Sequence, residues 1–319
     1  MILQVGQRAT PRMDLGAAFM QYMQNNNDFI GLNVFPVFGS QLMAAYFPAI
    51  TRESILRRAT TKRAPGGKYN RDGFETVDIP FSCVENGLEG VVDDAKRNLY
   101  QSSFDADLVH TQVLGRRLLI EQEIRIKAAV INTTTFTGTP FFKDNSANPW
   151  TTVGTDVRSQ VTFAREKVRS NCGMSPNALI ITQNNLDALK VNTQLTDAIK
   201  YTARLTDAEI VNALADFFGI QKVLIAKAVY NGAKEGQTFA GSYIWDDNYV
   251  FLGVVSGDTS GALTDPAIGR TILWEADCSE NVHAESYREE SSRGDVIRVR
   301  QYTQELLIDK YFGFLMKVR

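Results

Sequence analysis

Arg52-Glu53-Ser54-Ile55-Leu56-Arg57-Arg58-Ala59-Thr60-Thr61-Lys62-Arg63-Ala64-Pro65-Gly66-Gly67-Lys68-Tyr69-Asn70-Arg71 carries seven bases and one acid. The residues that follow, 72–94, reverse the sign: Asp72, Glu75, Asp78, Glu85, Glu89, Asp93 and Asp94 are seven acids with no base among them. Pro65-Gly66-Gly67 and Asp72-Gly73 between the two runs are turn signals. Phe74 to Ile79 alternates apolar and polar residues, the pattern of a strand. The stretch therefore reads as a long two-stranded excursion with one positive and one negative limb. A lone hairpin of this kind is marginal in water. Either its limbs neutralise each other within the molecule, or it reaches across to a neighbouring copy.

Downstream, residues 103–132 hold the strongest helix signal. Val109, Val113, Ile120, Ile124 and Ile131 recur at helical spacing and are read as the inward face. Asp105 or Ser103 can cap its start, and Glu121–Arg125 and Glu123–Lys127 are favourable i,i+4 pairs. Such a helix spans roughly 40 Å, long enough to act as a spine. Upstream, residues 1–50 have only Arg8, Arg12, Asp14 and Asp28 as charges. A short helix over 14–23 is expected there, but Asn25-Asn26-Asn27 and Val34-Phe35-Pro36-Val37-Phe38-Gly39 do not read as a compact unit. This segment is expected to lie against another surface, its own or a neighbour's.

Residues 133–150 are turn-rich and read as a boundary or a mobile loop. A compact α/β rhythm follows. A helix is expected over 155–170 with Val157, Val161, Ala164 and Val168 inward, then a buried strand at 178–181. Helices near 183–190 and 206–218 and strands at 222–226 and within 244–255 continue it. From Gly269 the pattern is mostly β, with candidate strands at 271–275, 284–287, 296–302 and 305–316. In the third of these, Ile297 and Val299 face opposite to Arg298 and Arg300.

Across 319 residues, 34 bases against 36 acids leave a net charge of −2, and 44% of residues are hydrophobic. That balance is the signature of a globular chain and excludes a binder that holds nucleic acid by bulk positive charge. No apolar run approaches the ~20 residues a membrane helix needs. Residues 1–24 lack a basic region followed by an apolar core, so no cleaved secretory leader is expected. Cys83, Cys172 and Cys278 are odd in number and widely spaced, as in reduced thiols rather than a disulfide framework.

Enzyme signatures are missing. There is no GxxxxGK[ST], no GxGxxG, no HExxH and no Cys/His cluster at zinc spacing. The two histidines, His110 and His283, lack any accompanying nucleophile motif. Asp246-Asp247 falls at a turn, where capping explains it as well as a cation does. Asp93-Asp94 and Asp105/Asp107 lie before helix starts, where negative charge is favoured. Phe104, Trp150 and Trp274 read as core or interface anchors. No catalytic, metal or cofactor residue is expected.

The order of parts carries a resemblance. It runs from an arm, through a charged loop with Lys62-Arg63-Ala64-Pro65-Gly66 and a spine helix, to an α/β unit with Asn177-Ala178-Leu179-Ile180-Ile181-Thr182. It ends with Asp265-Pro266-Ala267-Ile268-Gly269-Arg270-Thr271, Tyr287-Arg288-Glu289-Glu290 and a β-rich C-terminus. This resembles the major capsid proteins of tailed bacteriophages and prophages, with the Hong Kong 97-type fold. The resemblance implies an α+β chain divided into an N-terminal arm (1–50), an extended β-hairpin loop (51–101) and a peripheral domain with the spine helix (102–149). An α/β axial domain (150–261) follows, and C-terminal strands (262–319) complete the peripheral domain.

It also implies self-assembly into hexamers and pentamers of an icosahedral head that encloses double-stranded DNA without sequence-specific binding. The subunit would be assembled in the host cytoplasm and end in the virion. Scaffolding, portal and decoration proteins are the further partners implied, and no membrane is. The arm begins almost at Met1, so no long removable N-terminal scaffold segment is expected. Lys62 and Lys68 match the loop lysine that the family prototype uses for crosslinking, but no acceptor asparagine or catalytic acid can be matched, so crosslinking is not expected. Arg57, Arg58, Lys62, Arg63, Lys68, Arg71, Glu75, Asp78, Glu85 and Glu89 are the candidate inter-subunit contacts. Two alternatives stay open: an encapsulin-like nanocompartment shell of the same fold, and a cytoplasmic α/β enzyme, which would need a phosphate loop this sequence lacks.

Overall fold

Two sheets, joined by one long helix, organise the chain. The computed structural model describes residues 10–25, 28–100, 105–199, 207–257 and 266–319. Ser103, Phe104, Asn26, Asn27 and Asp265, named above, lie outside the described residues.

The first sheet has six strands built around Gly294–Leu307. One edge of this long strand pairs antiparallel with His283–Glu289 and, farther along, with Gly269–Trp274. The other edge pairs antiparallel with Val84–Asp93 over ten residue pairs. Val37–Ser40 adds a parallel strand to Gly269–Trp274, and Thr10–Pro11 closes the far side. Alternation places the side chains as expected: Ile297 and Val299 are fully buried, and Arg298 and Arg300 point to the other face.

The second sheet, five strands in the order Phe142–Asp144, Gly313–Lys317, Tyr249–Gly253, Ala178–Thr182 and Lys222–Ala226, is the centre of the α/β half. Its helices follow the sequence pattern. Val157–Cys172 buries Val157, Val161, Ala164 and Val168 and is capped by the Asp156 carboxylate at one end and by Gly173, at φ 75°, at the other. Fully burying each such valine contributes about 1.5–3 kcal/mol. Gln183–Lys190 and Asp207–Phe218 form as read, with an additional helix at Thr193–Ile199. The C-terminal residues divide between the sheets rather than running as one strand over 305–316, because Ile308–Phe312 breaks the ladder with a short 3₁₀ turn capped by Asp309.

Residues 133–150 are not a mobile loop. Phe136, Phe141 and Trp150 are buried, and Trp150 Nε1 donates to Gln160 at 2.8 Å. Aromatic anchoring here overrides the turn-rich composition. Trp274 is half-buried and stacks edge-on against Tyr302.

The spine helix is Ala106–Val130, capped by the Asp105 carboxylate, which accepts from the Asp107 and Leu108 amides. Its inward face differs from the stripe read in the sequence. Val109 and Val113 are 38% and 46% exposed, whereas Leu114, Gly115, Leu118, Leu119, Ile126 and Val130 are buried. The helix carries two apolar stripes, and packing selects the one that meets Phe19 and Val299. Neither expected i,i+4 pair is made. Arg125 instead forms a bidentate pair with Glu305 at 2.9 and 3.0 Å, and Glu123 turns into the core.

The described part of the first fifty residues, 10–25 and 28–50, is more compact than its composition suggests. Met13–Asn25 is helical, and Leu15, Phe19, Ile30, Val34 and Phe35 are all buried. A Cβ at Gly115 would lie 2.5 Å from the Phe19 ring, so the glycine is what admits this ring onto the spine helix. Phe19→Ala is expected to destabilise the subunit by about 3–5 kcal/mol, read by denaturant unfolding. A loss below about 1 kcal/mol would show that the helix is dispensable to the fold.

Candidate self-assembly surface

The charged excursion is real, but its limbs are not strand partners. The two-stranded unit pairs Ala44–Ile50 with Thr76–Ser82 in antiparallel register, and Val84–Asp93 belongs to the six-stranded sheet. The basic run forms no strand because Pro65, Gly66 and Gly67 interrupt it and no apolar alternation gives it a face to bury. The hairpin root is anchored. Phe47 and Phe81 are buried with Cys83, Ile272 and Leu306 on the first sheet. The Thr51 hydroxyl caps the short helix Arg52–Leu56. The Arg52 guanidinium sits 3.4 Å above the Tyr311 ring and donates to the Asn171 carbonyl, and Leu56 rests on Gly173.

Beyond this root, residues 57–75 are exposed throughout. Arg57 lies 3.8 Å from Asp72. Arg63 donates to the Gly67 carbonyl and stacks on Tyr69. Arg58, Lys62, Lys68, Arg71, Glu75 and Asp78 have no ion-pair partner among the described residues. Tyr69 and Phe74, 75% and 69% exposed, offer apolar area on the same loop.

Glu85 and Glu89 sit elsewhere, on the face of the first sheet that carries Arg298 and Arg300. Glu89 pairs with Arg298 at 2.5 Å, and Glu85 lies 3.8 Å from Arg300. Arg300 also contacts Asp277 and Glu285. Four carboxylates therefore surround two guanidiniums. Burial pushes the neighbouring Cys278 thiol up to about 12. His283 Nε2 is 3.6 Å from Glu285. Asp93 caps Asp94–Tyr100 through the Ala95 amide, and Asp246 caps the turn at Asn248.

A site that sequence reasoning missed is Glu123. Its carboxylate, 3% exposed, accepts from Ile30 N at 3.2 Å, Gly31 N at 2.7 Å and Trp245 Nε1 at 2.6 Å. Three separate segments meet on one side chain. Burial pushes the carboxyl up, opposed by these three donors. The only sequence signal was its helical spacing from Leu119, Ile126 and Val130, which the i,i+4 pairing with Lys127 seemed to override.

Among the described residues no three His, Cys, Asp or Glu side chains converge as a metal site, and no helix is long and apolar enough to cross a membrane.

No protein-family profile matches the chain. It is 23% identical over 251 residues to the major capsid protein of Burkholderia phage BcepMu, covering 77% of this chain and 78% of that one. A phage-related protein from Bordetella bronchiseptica RB50 superposes with a TM-score of 0.72 at 20% identity, over 98% of both chains. The capsid structure of cyanophage P-SCSP1u gives 0.57 at 13% identity, over 89% of this chain and 86% of that one. The chain thus shares the fold of phage capsid proteins and is similar in sequence to a phage major capsid protein.

Proposed function

We propose that this chain is the structural shell subunit of a phage head, which assembles into hexamers and pentamers around packaged double-stranded DNA. The observation that carries the reading is the loop over 57–75: anchored at its root, exposed along its length, and carrying cations that have no ion-pair partner among the described residues. A side-chain set of this kind is satisfied by another copy, and head-to-tail contacts that close into rings generate capsomers. The four-part division into arm, extended loop, peripheral domain and axial domain fits the two sheets and the helix between them. The near-neutral chain confines DNA without condensing it, because it lacks the cationic density that counterion release requires. The role is mechanical, with no catalytic step. The subunit belongs in the virion after assembly in the host cytoplasm, alongside scaffolding, portal and decoration proteins.

Electron microscopy of particles from the host background tests this. Heads with a unique portal vertex are expected. Small shells packed with protein would favour the nanocompartment, and dispersed single subunits would contradict both.

A further inference from the structure

The apolar stripe that the sequence marks as the inward side of the spine helix is left outside. Val109 and Val113 are exposed, and Ile120 and Ile124 are half-buried on the same side of Ala106–Val130. Val109, Gln112, Val113, Arg116, Arg117 and Ile120 line an open groove of about 260 Å³ along it. The opposite side is occupied, with Phe19 against Gly115 and with Leu114 and Leu118 in the cluster that holds Val299.

At 3.6 residues per turn the four apolar side chains fall within about 60° of arc, and Arg117 and Glu121 follow together on one flank. Both are exposed, and neither has an ion-pair partner among the described residues. They are one turn apart, but the base stands N-terminal to the acid, the weaker order for a pair within one helix. An antiparallel copy of the same face, related by a two-fold, brings like flank to like flank with the chain direction reversed. Arg117 then meets Glu121 of the second copy, Glu121 meets Arg117 of the second copy, and Val113 lies near Ile124 across the seam. A parallel copy would instead bring the Arg117 flank against the Arg116 flank, base against base, which is unfavourable.

We propose that the exposed stripe of the spine helix pairs antiparallel with the same stripe of a second copy across a two-fold axis, closed by two reciprocal Arg117–Glu121 ion pairs. This rests on the shell reading and adds a contact of a different kind to it. Head-to-tail contacts close a ring, whereas a self-complementary two-fold contact joins one ring to the next. The face runs about 23 Å from Val109 to Ile124. That is too short to reach the ~800 Å² per partner of a stable pair, so the contact closes in particles and not in dilute subunits.

Charge reversal tests it. Arg117→Glu and Glu121→Arg should each raise the concentration threshold for particle assembly by about tenfold, and the variant carrying both should return to within about twofold of wild type. All three should melt close to wild type, because both positions are exposed. Ile120→Cys, on the stripe close to the two-fold, supplies an independent readout. The three native thiols are buried, so a bismaleimide of short span should join Ile120→Cys subunits into covalent dimers in particles and not in dissociated subunits. Unchanged thresholds with no covalent dimer would overturn the pairing and leave the shell reading standing, as would single reversals whose loss the double variant does not recover. Wild-type protein that never assembles would overturn both.

Discussion

Replacing Lys62, Arg63 and Lys68 together by Glu is expected to raise the concentration needed for particle formation at physiological salt by more than tenfold while leaving the subunit folded. The three positions are exposed and lie beyond the anchored root, where surface substitutions usually change stability by no more than about 0.5 kcal/mol each. The changes take the 52–71 run from seven bases and one acid to four of each. A loop that met acids on a neighbouring copy would then repel them. Exposed pairs contribute about 0–1 kcal/mol each. Losing three of them, with repulsion in their place, comes to about 2 kcal/mol per contact, a ~30-fold rise in the concentration needed for assembly. Because such contacts are screened, high salt should weaken wild-type assembly in the same direction. A variant that forms normal particles with an unchanged concentration threshold would remove the loop from the assembly mechanism.

The second large effect is expected inside the subunit. Glu123→Ala strands the Ile30, Gly31 and Trp245 N–H donors in a buried site. At about 1–3 kcal/mol for each unsatisfied group, the loss reaches a large fraction of the ~5–15 kcal/mol that holds a domain together. The Ala variant should accumulate as unfolded or insoluble chain. Glu123→Gln keeps the volume and one acceptor but turns an NH₂ toward a donor, so it should fold with reduced stability. In that variant the amides at Ile30 and Gly31 should lose exchange protection before those of the second sheet. An Ala variant that melts within a degree or two of wild type would show that the three segments are held by other contacts.

These two predictions mark where the sequence was legible. The α/β half could be read residue by residue, because Val157, Val161, Ala164 and Val168 follow one period and Ala178-Leu179-Ile180-Ile181 is a continuous apolar run. The charge reversal at Arg71/Asp72 located the loop, since unpaired charge is visible in a linear string. Three things were not legible. The spine helix has two apolar stripes, and only the position of Phe19 decides that Leu114 and Leu118 face inward. The strand partner of Val84–Asp93 lies some two hundred residues away, so proximity in sequence pointed to the wrong limb. Glu123 stood at an i,i+4 spacing from Lys127 that a helix surface would use, whereas the fold buries it under Trp245. Non-local pairing and burial of a charged group are properties of the packed chain, and neither has a local period.

The central claim is that the exposed loop is completed by other copies of this chain. Sedimentation of the purified 35.5 kDa subunit over a range of concentrations tests it most directly. Cooperative formation of megadalton particles above a threshold, with residues 57–75 protected from proteolysis only in those particles, is the predicted result. A species of one to a few subunits at every concentration, with the loop equally cleavable throughout, would contradict it.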